Sequence, residues 1–77
     1  MSSLINEVRA QNVWFDEDNM WVSLLDGRTL SIPKVWFPKL SEAKAEDLNQ
    51  YEMSGNGAAI HWEKLDEDIS VPNLLLG

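Results

Sequence analysis

With 77 residues and a formal charge of −7, from 13 acidic against 6 basic side chains, the chain has room for one small domain of the wrong sign to grip a phosphate backbone. It has no cysteine, so neither a disulfide nor a thiolate metal site can reinforce a core that buries only about 60–65% of the unfolded surface at this size. No stretch approaches the ~20 apolar residues of a membrane span, and Met1 to Glu7 lacks the basic and apolar regions of a leader. The expectation is therefore a soluble, cytoplasmic protein with no membrane partner and no direct nucleic-acid binding. Four Trp, two Phe, one Tyr and the aliphatic residues must supply the core, and a second copy in a homodimer, or another partner, would cover what one copy leaves exposed.

Residues 1–77 read as a single small α+β domain whose first residues, Met1 to Asn6, are expected to be flexible. From Glu7 the β-formers Val8, Val13, Trp14 and Phe15 predict a strand, broken by Asp16-Glu17-Asp18-Asn19. Pairing Phe15 with Met20 across that four-residue loop sets Val13 opposite Val22 on one face and Trp14 opposite Trp21 on the other. Met20 to Leu25 and Arg28 to Ile32 form the next two strands. A two-residue Asp26-Gly27 turn would split the apolar residues between faces. A three-residue loop, Leu25-Asp26-Gly27 with Gly27 left-handed, pairs Val22 with Leu30 and Met20 with Ile32, and is preferred.

Pro33 and Pro38 bracket Lys34-Val35-Trp36-Phe37, which must leave the sheet because proline cannot donate to a ladder. Trp36 and Phe37 are expected to plug the end of the meander or the groove beneath a helix. Leu40, Ala43, Leu48 and Tyr51 suggest one amphipathic helix over Leu40 to Tyr51, with Ser41 as its N-cap and Glu42 in its first turn. Gly55-Asn56-Gly57 marks a turn. Ala58 to Trp62 reads as a fourth strand of the same sheet, Ala59 and His61 on one face and Ile60 and Trp62 on the other. After the acidic run, Ser70 and Pro72 predict a short C-terminal helical turn. The architecture expected is an antiparallel sheet of three or four strands with one packed helix.

The order of these blocks resembles a bacterial domain-of-unknown-function family, number 2442. It is carried by Asp26-Gly27-Arg28, Trp36-Phe37-Pro38-Lys39-Leu40, Ile60-His61-Trp62, Leu65-Asp66-Glu67-Asp68-Ile69-Ser70-Val71 and the closing Leu74-Leu75 with Gly77. The resemblance covers about Val8 to Gly77. It departs in the middle, where Lys44-Ala45-Glu46-Asp47-Leu48 stands in place of a Thr-Pro-Glu-Glu-Arg-like helix start. It implies a small α+β domain without established enzymatic activity. Some members are fused to a helix-turn-helix, and others are encoded beside a small partner in toxin–antitoxin-like arrangements.

The only cluster with chemical potential is His61 with Glu63, Asp66, Glu67 and Asp68. An oxygen-rich Ca²⁺ or Mg²⁺ site would need the spacing and glycine of a calcium loop, which are missing, and a lone His without Cys does not make a tetrahedral zinc site. No cofactor is expected. Neither a catalytic pair nor an activated nucleophile is recognisable. The simpler reading of His61 is a half-buried ring bonded to a backbone or carboxylate group. Asp66, Glu67 and Asp68 either cap a turn, pair with Lys39 or Arg28 and stay solvated, or join Asp16, Glu17 and Asp18 in docking a basic patch. Trp36 and Trp62 are expected in the core. Trp14 and Trp21, sharing the outer face in this register, are expected to form a patch that a dimer mate, a partner or the C-terminal segment must cover.

The leading expectation is a non-enzymatic, antitoxin-like or accessory module that binds a small cognate protein, with a basic face, through its acidic and aromatic surface. The alternative is an acidic mimic of nucleic acid that inhibits a nucleic-acid-binding protein. A divalent-metal-dependent enzyme is the third.

Overall fold

Two three-stranded antiparallel sheets, linked by a proline-bracketed segment, make up the computed structural model, which describes residues 8–76. The expectation for Met1 to Asn6 lies outside those residues. In the first sheet, β1 (Ala10–Phe15), β2 (Asn19–Leu24) and β3 (Thr29–Pro33) pair in the order of the chain. Phe15 lies opposite Met20, Val13 opposite Val22 and Trp14 opposite Trp21. Across the second turn Val22 meets Leu30 and Met20 meets Ile32. Gly27 takes a φ of 98°, and its N–H bonds the Leu24 carbonyl at 3.0 Å, closing the three-residue loop. Strand alternation then buries Val13, Met20, Val22, Leu24 and Ile32 on one face.

After Pro33 a 3₁₀ turn, Lys34–Trp36, leads into α1 (Pro38–Ser41), a single turn started by proline at its first position. A second single turn, α2 (Ala45–Leu48), follows an extended Lys44 at φ −75°, ψ 156°. The single helix expected over Leu40 to Tyr51 is thus two, and Ser41 ends the first instead of capping a longer one. The extended Lys44 backbone interrupts the ladder: the bonds of the first turn end with the Glu42 and Ala43 N–H groups, and a new turn starts from the Lys44 carbonyl, which accepts from Asp47 and Leu48 at 3.0 Å each. Leu40 and Leu48 are both buried.

The second sheet also runs in chain order, with β4 (Glu52–Ser54), β5 (Ala59–Trp62) and β6 (Glu67–Ser70), and α3 (Val71–Leu76) follows it. The expectation that Ala58 to Trp62 joins the first sheet is corrected: β5 is the middle of a sheet of its own, paired to β4 and β6. Ile60 and Trp62 do face inward and are fully buried, with Ile69 of β6 opposite Ile60. Pro72 lies in the first turn of α3, immediately after Ser70.

Trp62 locks the layers together. Its indole N–H donates to the Leu48 carbonyl at 3.0 Å, and its ring meets Phe15 edge-on and Tyr51 at a tilt, each at 6.2 Å between centroids. The Tyr51 hydroxyl donates to the Val13 carbonyl at 3.1 Å. The Gly55–Gly57 turn completes the join. Gly57, at φ 95°, is buried so close to β1 that a Cβ there would stand 2.3 Å from the Ala10 carbonyl oxygen.

Candidate functional site

Among the described residues, no helix is long and apolar enough to cross a membrane. The fold presents outward acidic turns, an exposed aromatic segment and, in β6, the last strand of the second sheet.

At the β1–β2 turn Asp16 folds back on its own loop. Its carboxylate accepts the backbone N–H of Asp18 at 2.9 Å, that of Asn19 at 2.7 Å and the Trp21 indole N–H at 2.8 Å. The Trp21 bond, then the Asn19 bond, hold its carboxyl below the usual aspartate value. Trp14 and Trp21 stack across the strands, rings 5° from parallel and 6.3 Å apart, with Trp14 42% exposed. Glu17 and Asp18 are solvent-exposed.

On the outer face of the second sheet, register puts Glu52 beside His61 and His61 beside Asp68. The half-buried His61 ring bonds Asp68 through Nδ1 at 2.5 Å. That bond, aided by the charges of Asp68, Glu52 and Glu63, raises the His61 pKa above 6.5. Glu52 and Asp68 lie two strand spacings apart, roughly 10 Å at the backbone. Among the described residues no group of three His, Asp or Glu side chains could hold a metal ion.

Asp66 ends the β5–β6 turn in the left-handed region, at φ 54°, so it does not continue the alternation that would set it beside Asp68. Lys39 donates to its carbonyl at 2.8 Å, with the carboxylate 4.0 Å away. Arg28 pairs with Asp26 instead. Glu67 opposes Trp62 at the start of β6.

The expectation that Trp36 is core is overturned: it is 54% exposed and Val35 is 73% exposed. Phe37 goes inward in its place, because it stands three residues before the buried Leu40 on the face of α1 that meets the core. Pro38, at the start of α1, is itself exposed. This segment ties the two acidic turns together. Lys34 donates its backbone N–H to the Asp18 carbonyl at 2.9 Å at one end, and Lys39 holds Asp66 at the other. The Cα atoms of Lys34 and Lys39 can be at most roughly 18 Å apart.

Beside the segment opens a cleft of about 520 Å³, walled by Trp36, Phe37, the β6 residues Asp68, Ile69 and Ser70, and Asn73 and Leu74 of α3. Sequence reasoning missed the exposure of Trp36 and the parts of Asn73 and Leu74. The prolines on either side of Lys34–Phe37 were the available signal, since a segment expelled from a sheet in so small a domain cannot bury both adjacent aromatics.

Residues 10–77 match the family described as protein of unknown function (DUF2442). A crystal structure of a protein of unknown function from Rhodospirillum rubrum is similar, with a TM-score of 0.78 and 34% identity over 92% of this chain and 88% of that one. So is the solution structure of an uncharacterized protein from Chromobacterium violaceum, with a TM-score of 0.72 and 26% identity over 88% of this chain. The match spans 64% of the Chromobacterium chain. No curated protein matches the sequence.

Proposed function

This chain belongs to the DUF2442 family, and from that membership and its own surface we propose that it is a non-enzymatic interaction module, antitoxin-like or accessory, which binds a small protein with a basic and apolar face. One observation carries the reading. Trp36 and Val35 stand exposed between two acidic turns and beside the cleft along β6. Exposed tryptophan ringed by polar groups is the usual anatomy of an interface centre, where a few aromatic residues supply most of the binding energy. The acidic rim adds attraction for a basic partner and repulsion for acidic ones. Asp16, Glu17, Asp18, Trp14 and Trp21 supply a second part of the same docking surface.

The test is affinity purification of the tagged chain from its host, with nuclease treatment in parallel. A stoichiometric small protein should be retained by the native chain and lost by both Trp36→Ala and the triple reversal of Asp66, Glu67 and Asp68 to Lys, with far-ultraviolet circular dichroism and a cooperative thermal transition preserved. Equal retention by all three would overturn the assignment of this surface. A retained nucleic-acid-binding protein displaced by added DNA would replace the reading with inhibition by phosphate mimicry.

A further inference from the structure

The hydrogen-bond pattern of the second sheet leaves a usable edge. In an antiparallel pair, residues alternate between those that exchange both backbone bonds with the neighbour and those that direct them away. The Val71 N–H bonds the Ala58 carbonyl at 2.8 Å, so the bonded pairs, two residues apart along this register, are Val71 with Ala58, Ile69 with Ile60 and Glu67 with Trp62. Asp68 and Ser70 therefore direct their N–H groups, and Asp68 its carbonyl, away from β5. β6 is the last strand of its sheet, and among the described residues none of these three groups bonds another segment. Both residues line the cleft.

Resting on the reading of this chain as a partner-binding module, we infer that the partner docks an extended segment along β6, adding a strand to the second sheet. Alternate side chains of an added strand face opposite sides. One set lies against the apolar walls formed by Trp36, Phe37 and Leu74; the other lies on the outer face that carries Asp68, His61 and Glu52. The occupant is thus a segment in which apolar, β-branched residues alternate with Lys or Arg. A second copy of this chain fits less well, because it would bring together two edges that each carry Glu67 and Asp68 in a molecule of charge −7. The edge of β3, by contrast, ends in Pro33 and borders no such apolar cleft.

Selection of a random heptapeptide display library on the folded chain tests the inference, followed by binding of the synthetic winner to ¹⁵N-labelled protein. Winners should alternate basic with β-branched residues. Binding should slow hydrogen exchange at the Asp68 and Ser70 amides, and should fail when the paired peptide nitrogens are methylated. Trp36→Ala should weaken it on the order of tenfold or more. Winners that perturb the Trp14–Trp21 face instead would overturn strand addition while leaving the partner-binding reading in place. So would a protein captured from the host that leaves the Asp68 and Ser70 amides unprotected. A concentration-dependent dimer of this chain, protected at those same two amides, would give the edge to a second copy and overturn the inference.

Discussion

At the scale of single residues, the pair His61–Asp68 makes a prediction with a sign. The folded His61 pKa is raised above 6.5, chiefly by the Asp68 hydrogen bond. A raised pKa means that the folded state binds the proton more tightly than the unfolded chain does. Its contribution to stability is complete below pH 6.5 and is lost as pH rises from there through the folded value. An NMR titration of His61 should give a midpoint above 6.5, and Asp68→Asn should lower it. The same substitution should flatten the decline in melting temperature from pH 6 upward. A midpoint unchanged by Asp68→Asn would mean that the bond is absent in solution.

Glycine supplies a second prediction at this scale. Gly57 and Gly27 share a positive φ, but only Gly57 faces a wall, the Ala10 backbone; a Cβ at Gly27 meets nothing within 4 Å. Gly27→Ala should cost about 1–2 kcal/mol, the left-handed penalty alone. Gly57→Ala adds an overpacking cost of about 1–3 kcal/mol where backbone meets backbone. Urea denaturation of the two variants separates these terms, and equal losses would show that the close approach of the two sheets is not maintained. Gly55-Asn56-Gly57 was legible as a turn from sequence. That it packs against β1 was not, because nothing in local composition records what lies across the chain.

At the scale of elements, the first sheet was readable because two independent constraints agreed. The loop lengths set by Asp16-Glu17-Asp18-Asn19 and Leu25-Asp26-Gly27 gave the same register as the requirement that Val13, Val22, Met20 and Ile32 share a face. The second sheet has the same arithmetic. Pairing Trp62 with Glu67 across a four-residue loop sets Ile60 opposite Ile69. It was concealed by composition: β4 has three residues, and β6 opens with Glu67 and Asp68, types depleted in strands. Tertiary pairing outweighed propensity there. The site residues divide along the same line. Trp14 opposite Trp21 follows from register alone, whereas the exposure of Trp36 depends on a 3₁₀ turn that no periodicity announces.

The β1–β2 turn makes the prediction at this scale. Asp16 is held below the usual aspartate pKa by the Trp21 and Asn19 N–H groups, so its carboxylate stabilises the folded state above pH 3.8 and ceases to do so as pH falls through the lowered value. Asp16→Ala should lower stability at neutral pH and move the Trp21 indole N–H resonance toward that of a solvated indole. Asp16→Asn should keep part of the turn, since its amide oxygen can accept the Asp18 and Asn19 N–H groups, but should lose the Trp21 bond, which falls on the other carboxylate oxygen, and should remove the acid dependence. Acid unfolding profiles of the three proteins that superimpose would show that the turn does not depend on the carboxylate.

At the scale of the whole molecule, the question is whether two three-stranded sheets behave as one unit. A radius of gyration of 12.0 Å and extents of 41 × 21 × 17 Å describe an elongated body, in which few side chains can reach from one sheet to the other. Trp62 is the largest of them to be fully buried, and it joins β5 to Phe15 of β1 and to the carbonyl that ends α2. A chain of this size has roughly 4–12 kcal/mol of total stability. Trp62→Ala, at about 3–5 kcal/mol, removes a large share of it from the contact through which the sheets support each other. Native Trp62 should therefore give a single unfolding transition, coincident by far-ultraviolet circular dichroism and by the resonances of either sheet. Trp62→Phe keeps the packing with Phe15 but drops the bond to the Leu48 carbonyl, leaving an acceptor without its partner, so it should fall between the two in stability with cooperativity intact. In Trp62→Ala the β4–β6 amides should exchange faster than those of β1–β3, because β4 is only three residues long and leans most on that ring. Uniform exchange across both sheets in that variant would assign the coupling to the Gly57–Ala10 contact instead.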